Sequence, residues 1–131
     1  MASAARDPTK ARGDRAETLA RQYLENAGFK TLCVNYRCRA GEIDLVMRDG
    51  ATVVMVEVRY RKDARSIDPA LTITPAKQRH IFTTTRHFLQ RHTEYADAPL
   101  RFDVVTVCES LDRPRLQWIR AAFDASGIMS F

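Results

Sequence analysis

The stretch "GEIDLVMRDGATVVMVEVRYR", residues 41–61, places two carboxylates, Asp44 and Glu57, inside two strand-like runs. Val53 to Val58 is apolar at every position except Glu57, the pattern of a strand covered on both faces. An ionised acid held away from water is strongly disfavoured unless it is paired, hydrogen-bonded or bound to a metal. Asp49-Gly50 between the two runs is a hairpin signal. A turn centred on that dipeptide sets Asp44 opposite Met55 and Glu42 opposite Glu57. Alternation then predicts that Glu42, Asp44, Glu57 and Arg59 project from one face. Asp44 and Glu57 become diagonal neighbours about 7 Å apart at Cβ, with room between them for one Mg²⁺ or Mn²⁺. A slip of one residue would send Asp44 to the other face.

Around this hairpin the chain reads as helix, three strands, helix, two strands. "DRAETLARQYLENAG" predicts a first helix with Asp14 as N-cap, Glu17 three residues later and Gly28 as its stop. "FKTLCVNYRCR" is a strand that bends at Asn35. Residues 61–73 read as a loop. Thr74 and Pro75 then open a second helix with Ile81, Thr85, Phe88 and Leu89 inward and a basic opposite side. "LRFDVVTVC" is a strand and "RLQWIR" a shorter one. The fold class is therefore α/β, a single domain with a mixed central sheet flanked by helices on both faces. Residues 1–12 read as a flexible basic arm, 13–123 as the domain, and 124–131 as a C-terminal tail with no assignable element.

With 131 residues, 45% of them hydrophobic, the chain is long enough for a real core. Its formal charge of +5 favours polyanionic partners such as nucleic acid or an anionic membrane surface. Three cysteines, odd in number and without a CxxC pair, suggest neither a disulfide framework nor a zinc knuckle and fit a reducing cytoplasm. The N-terminal residues carry no apolar signal region and no run is long enough for a membrane span. His80, His87 and His92 lack the spacing of a helical metal pair and read as surface basics.

The segments "GDRAETLARQYLENAG", "NYRCRAGEIDLV", "VVMVEVRYR", "RFDVV" and "WIRAAF", with a lysine on the second helix, resemble the YraN-like family of small bacterial proteins over residues 13–123. That family is similar to the Holliday-junction-resolvase branch of the PD-(D/E)XK nucleases, whose signature is an Asp on one strand and Glu-x-Lys on the next. The resemblance implies a restriction-endonuclease-like core and a Mg²⁺- or Mn²⁺-dependent endonuclease acting on branched or structured DNA, with a homodimer as one arrangement. Asp44 and Glu57 would be metal ligands, the Val58 carbonyl an additional one, and Glu17 the first-helix glutamate of the family. Lys77, Gln78, Arg79 and Arg86 would contact DNA phosphates.

Arg59 stands where the signature has lysine. Arginine supplies positive charge and a bidentate phosphate contact, but it stays protonated. The alternative is therefore a nucleic-acid-binding module that keeps the nuclease fold with reduced or lost catalysis. Lys77 or Lys62 would be the substitute for the missing lysine. Other readings stand beside these: Glu17 as the partner of Asp14 in a capping box, Glu42 as an exposed strand start, Arg59 as a structural ion-pair partner of Glu57. Asp103 in "RFDVV" reads as an acid held by structural hydrogen bonds.

Overall fold

The computed structural model describes residues 8–61, 73–110 and 113–124. In chain order they form α1 (Pro8–Asn26), β1 (Lys30–Cys38), β2 (Gly41–Asp49), β3 (Thr52–Arg61), α2 (Pro75–Arg91), a single 3-10 turn (Thr93–Tyr95), β4 (Leu100–Ser110) and β5 (Arg113–Phe123). The strands lie in one sheet in the order β1-β2-β3-β4-β5. β3 and β4 are parallel and every other neighbouring pair is antiparallel. The expected mixed α/β sheet with two helices, consistent with a restriction-endonuclease-like core, is thus the observed one. A parallel pair needs a crossover, and α2 lies within the segment that joins β3 to β4.

Each face of the sheet buries its own apolar cluster. On one side Ala16, Ala20 and Leu24 of α1 pack against Leu45, Met47, Val54, Val56, Val105 and Val107. On the other, Ile81, Phe82 and Phe88 of α2 pack against Ile43, Val46, Val53, Met55, Phe102 and Val104. This double cover explains why β3 reads as an almost unbroken apolar run.

Thr74 caps α2 as expected, its Oγ1 accepting from the Lys77 N–H at 3.1 Å with Pro75 at the first helical position. α1 departs from expectation. It starts at Pro8, so Asp14 lies inside it rather than at its N-cap, and residues 8–12 are helical rather than part of an arm. The carbonyl of Asp14 instead accepts from Thr18 Oγ1 one turn on. Residues 1–7, residues 62–72 of the expected loop (Lys62 among them) and residues 125–131 of the expected tail lie outside the described residues. β5 is longer than "RLQWIR" and takes in Ala121, Ala122 and Phe123.

The hairpin register is shifted by two positions from the expected one. Asp49 faces Thr52 and Leu45 faces Val56, with Gly50 and Ala51 as the turn. Gly50 adopts φ +59, a conformation that glycine reaches without steric cost. A two-position shift keeps the side-chain parity intact.

Asp103 is fully buried on β4 and its carboxylate is saturated. It accepts from Arg101 Nε at 2.9 Å and Nη2 at 3.1 Å, from Trp118 Nε1 at 2.9 Å and from the Ala121 N–H at 3.0 Å. The β4–β5 register shifts beside it, and Ala121 is held at φ +49. Asp103 therefore stitches an irregular strand pair together, the structural role its sequence context suggested. Asp103→Ala should cost about 3 kcal/mol or more of stability in a denaturant titration, because Arg101 would be left without its buried partner. A loss below about 1 kcal/mol would mean that the carboxylate does not hold this edge.

Candidate active site

The acids of interest meet where the β2–β3 ladder stops. The last paired residues are Leu45 and Val56, and the same register extended by one step brings Asp44 opposite Glu57 rather than diagonal to it. Just here the outer strands roll over. Ile43 belongs to the cluster under α2 whereas Leu45 belongs to the cluster under α1. On β1, Asn35 sits at φ +54, and Tyr36 packs on the α2 side while Val34 lines a cleft beside α1.

This roll corrects the expectation of four side chains on one face. Asp44 points across the end of the ladder, where its Oδ2 accepts the Val58 N–H at 2.8 Å. Glu57 projects to the α2 side, beside Ile43, Met55 and Ile81. Glu42, expected opposite Glu57, instead pairs with Arg37 and faces it across the β1–β2 strands.

The Asp44 and Glu57 side chains are hydrogen-bonded to each other. Burial, then the negative charge of Glu57, push the Asp44 carboxyl up to about 8, against the downward pull of the Val58 amide. Glu57 is 7% exposed. Two cations reach its Oε2: Lys77 Nζ from α2 at 3.5 Å and Arg59 Nη2 at 3.7 Å. Arg59 Nε, also shielded from solvent, has no hydrogen-bond partner among the described residues.

Glu17 comes from α1, half-buried, and faces a cleft of about 300 Å³ lined also by Asp14, Thr18, Val34 and Asn35. Burial raises its carboxyl, opposed by a hydrogen bond with Asn35, and the charges of Glu42, Asp14 and Glu57 raise it further. It is therefore within electrostatic reach of Glu57 and is not a helix cap. Gln78 is spent locally, its Nε2 donating to the Ile73 carbonyl at 3.0 Å. Arg79 and Arg86 stand exposed on a helix that has no acidic residue along its length. His87 bonds Tyr36 Oη through Nδ1 at 2.5 Å and His92 stacks on Phe88, so neither belongs to this site. The role of Lys77 on Glu57 was hard to read from sequence because β3 and α2 are separated by residues 62–74; the only signal was a lysine in the first turn of a capped helix.

Among the described residues no three acidic, His or Cys side chains converge into a preformed cage. The donor set nevertheless suits a hard cation. Mg²⁺ is commonly held by one or two carboxylates, with water and substrate phosphate completing its coordination. The two acids share a hydrogen bond at the place where a cation would neutralise both. In a strand, a residue's N–H and C=O point toward the same neighbour. The Val58 carbonyl, like its N–H, is thus directed to the β2 side, beyond the last ladder pair.

Comparison with known proteins places this framework in a family. The model of the "Uncharacterised protein family UPF0102" matches residues 16–107. The chain belongs to the UPF0102 family. It is 47% identical over 113 residues to a UPF0102 protein of Methylobacillus flagellatus, covering 86% of this chain and 96% of that one. A UPF0102 protein of Alkalilimnicola ehrlichii is 48% identical over 115 residues, 88% of each chain. The matched region contains the C-terminal part of α1, the β2–β3 hairpin, Asp44, Glu57, Arg59 and Lys77.

The raised Asp44 carboxyl carries a consequence for stability. Its folded value, about 8, lies above the value of about 3.9 in an unfolded chain. The native state therefore binds more protons between those values, so this stabilisation is complete below about pH 4 and is lost as pH rises through about 8. Asparagine at 44 imitates the protonated acid, donating to Glu57 and still accepting from the Val58 amide. In metal-free protein near neutral pH, Asp44→Asn should add about 1 kcal/mol or more and should flatten the pH dependence of melting. A destabilised variant would contradict the hydrogen-bonded acid pair.

Proposed function

We propose that this protein is a Mg²⁺- or Mn²⁺-dependent endonuclease that hydrolyses phosphodiester bonds in branched or otherwise structured DNA. The observation that carries the reading is the meeting of Asp44 and Glu57 at the end of the β2–β3 ladder, with Lys77 and Arg59 both on one oxygen of Glu57. Two acids in contact are unfavourable in a fold that needs no cation there. Two basic side chains beside them suit an anionic substrate.

In this reading Asp44, Glu57 and the Val58 carbonyl hold the cation, which when bound makes a water more acidic and offsets charge at the phosphate. Val58 keeps the Asp44 carboxylate in place through its amide. The two basic side chains beside Glu57, Lys77 and Arg59, face the attacking water and the phosphate. Arg79 and Arg86 on the acid-free outer side of α2 draw the sugar-phosphate backbone toward the site, a contact that is not base-specific. Among the described residues no helix is long and apolar enough to cross a membrane.

The second reading, a binding module with little or no turnover, is favoured by Arg59 at the signature lysine position. Cleavage separates the two. Asp44→Asn and Glu57→Gln should each lower cleavage of a branched duplex in Mn²⁺ by on the order of 100-fold or more. Affinity for the same DNA should stay within a few-fold and fall steeply with salt. If the wild type binds branched, flapped and single-stranded DNA but cuts none with either metal, the binding-module reading takes its place.

A further inference from the structure

We propose that the work of the signature lysine is divided between two elements: Lys77 of α2 supplies the ammonium at the attacking water, and Arg59 of β3 grips the scissile phosphate. This inference rests on the endonuclease reading above and adds to it the roles of two residues. Both side chains converge on Glu57 Oε2, Lys77 Nζ at 3.5 Å and Arg59 Nη2 at 3.7 Å, yet they are held differently.

Lys77 is fixed through its backbone. Its N–H donates to Thr74 Oγ1 at 3.1 Å, and Pro75 opens the helix, so the first turn that carries the side chain is locally fixed. Its side chain is 40% exposed, leaving the ammonium open to solvent on one side and on Glu57 on the other. An ammonium is a compact charge with three donors. It can keep one contact on Glu57 and give another to a water, whereas the forked guanidinium of Arg59 is shaped for two oxygens of one anion.

Arg59 has the complementary feature. Its Nη2 faces Glu57, but its Nε is shielded from solvent and has no partner among the described residues. A buried donor left unsatisfied is destabilising. Two non-bridging oxygens of a phosphodiester would take Nε and a terminal nitrogen together, the bidentate geometry for which arginine is suited. In the resulting step the water oxygen forms a bond to phosphorus and the bond from phosphorus to the bridging oxygen breaks. The proton leaving the water passes to solvent, and the departing alkoxide takes a proton from a second water.

The test compares the wild type with Lys77→Ala, Arg59→Ala and the double variant Lys77→Ala/Arg59→Lys. Cleavage of a branched duplex is measured in Mn²⁺, affinity for the same DNA is measured by anisotropy with metal chelated, and thermal melts run alongside. Lys77→Ala should lower kcat by about 100-fold and leave metal-free affinity within about threefold. Arg59→Ala should weaken that affinity about tenfold, the loss of one charged hydrogen-bonded contact. Restoring lysine at 59 in the Lys77→Ala background should recover at least about tenfold in kcat, because an ammonium again reaches the water. Undiminished cleavage by Lys77→Ala, no recovery in the double variant, or unchanged affinity in Arg59→Ala would each overturn the division of roles while leaving the nuclease reading standing. A wild type that cuts no DNA overturns both.

Discussion

Two carboxyl groups, Asp44 and Glu57, are held in contact where the β2–β3 ladder ends, and the layers on both sides of the sheet keep them there. Asp44 cannot swing away without giving up the Val58 amide, and Glu57 is walled in by Ile43, Met55 and Ile81. The α1-side cluster begins immediately beyond them at Leu45 and Val56, and the α2-side cluster takes in Ile43 and Met55 beside them. Relaxing the contact would mean repacking β2 and β3 together. The fold thus holds an interaction that is unfavourable for two ionised acids, a conflict expected at functional positions, where local consistency is given up for chemistry.

The roll of β1 and β2 at Asn35 and Asp44 makes this possible. A regular β2 would carry Ile43 and Leu45 on one face, and Asp44 on the other. With Ile43 under α2 and Leu45 under α1, Asp44 falls between the faces and its carboxylate lies across the ladder end. The positive φ of Asn35 opposite is the backbone cost of that roll, and Asn35 lines the same cleft as Glu17. One irregular level of the sheet therefore brings together β1, β2, β3 and, through Glu17, α1.

Much of this was legible in the sequence. Thr74-Pro75 declared the start of α2 because a capping hydroxyl and a proline at the first position act locally. Asp49-Gly50 declared the hairpin, and the side-chain parity survived even though the turn falls one residue later than expected, at Gly50-Ala51. What stayed hidden was non-local. Asp14 and Glu17 have the spacing of a capping box, but the helix continues upstream to Pro8, so the pattern is interior and Glu17 turns to Asn35 instead. Phe82 falls outside the expected inward set and is nevertheless buried, because the α2-side cluster reaches Phe102 and Phe123 on the far strands. No spacing announces that Lys77 will reach Glu57 from another layer.

Asp103 and Glu57 show how such acids can be told apart. Each interrupts an apolar strand, each is buried, and each has an arginine two positions away on the same strand. Asp103 receives four donor contacts at 2.9–3.1 Å, two from Arg101, one from Trp118 and one from the Ala121 amide, which is as much as a carboxylate's lone pairs can usefully take. Nothing remains for a ligand to satisfy. At Glu57 the cations stand at 3.5 and 3.7 Å, beyond direct hydrogen-bond geometry, its neighbour is another acid, and the adjacent Arg59 Nε has no hydrogen-bond partner among the described residues. Saturation marks a structural acid; an incomplete partner set, with charge of both signs already gathered around it, marks one arranged for something that binds from outside.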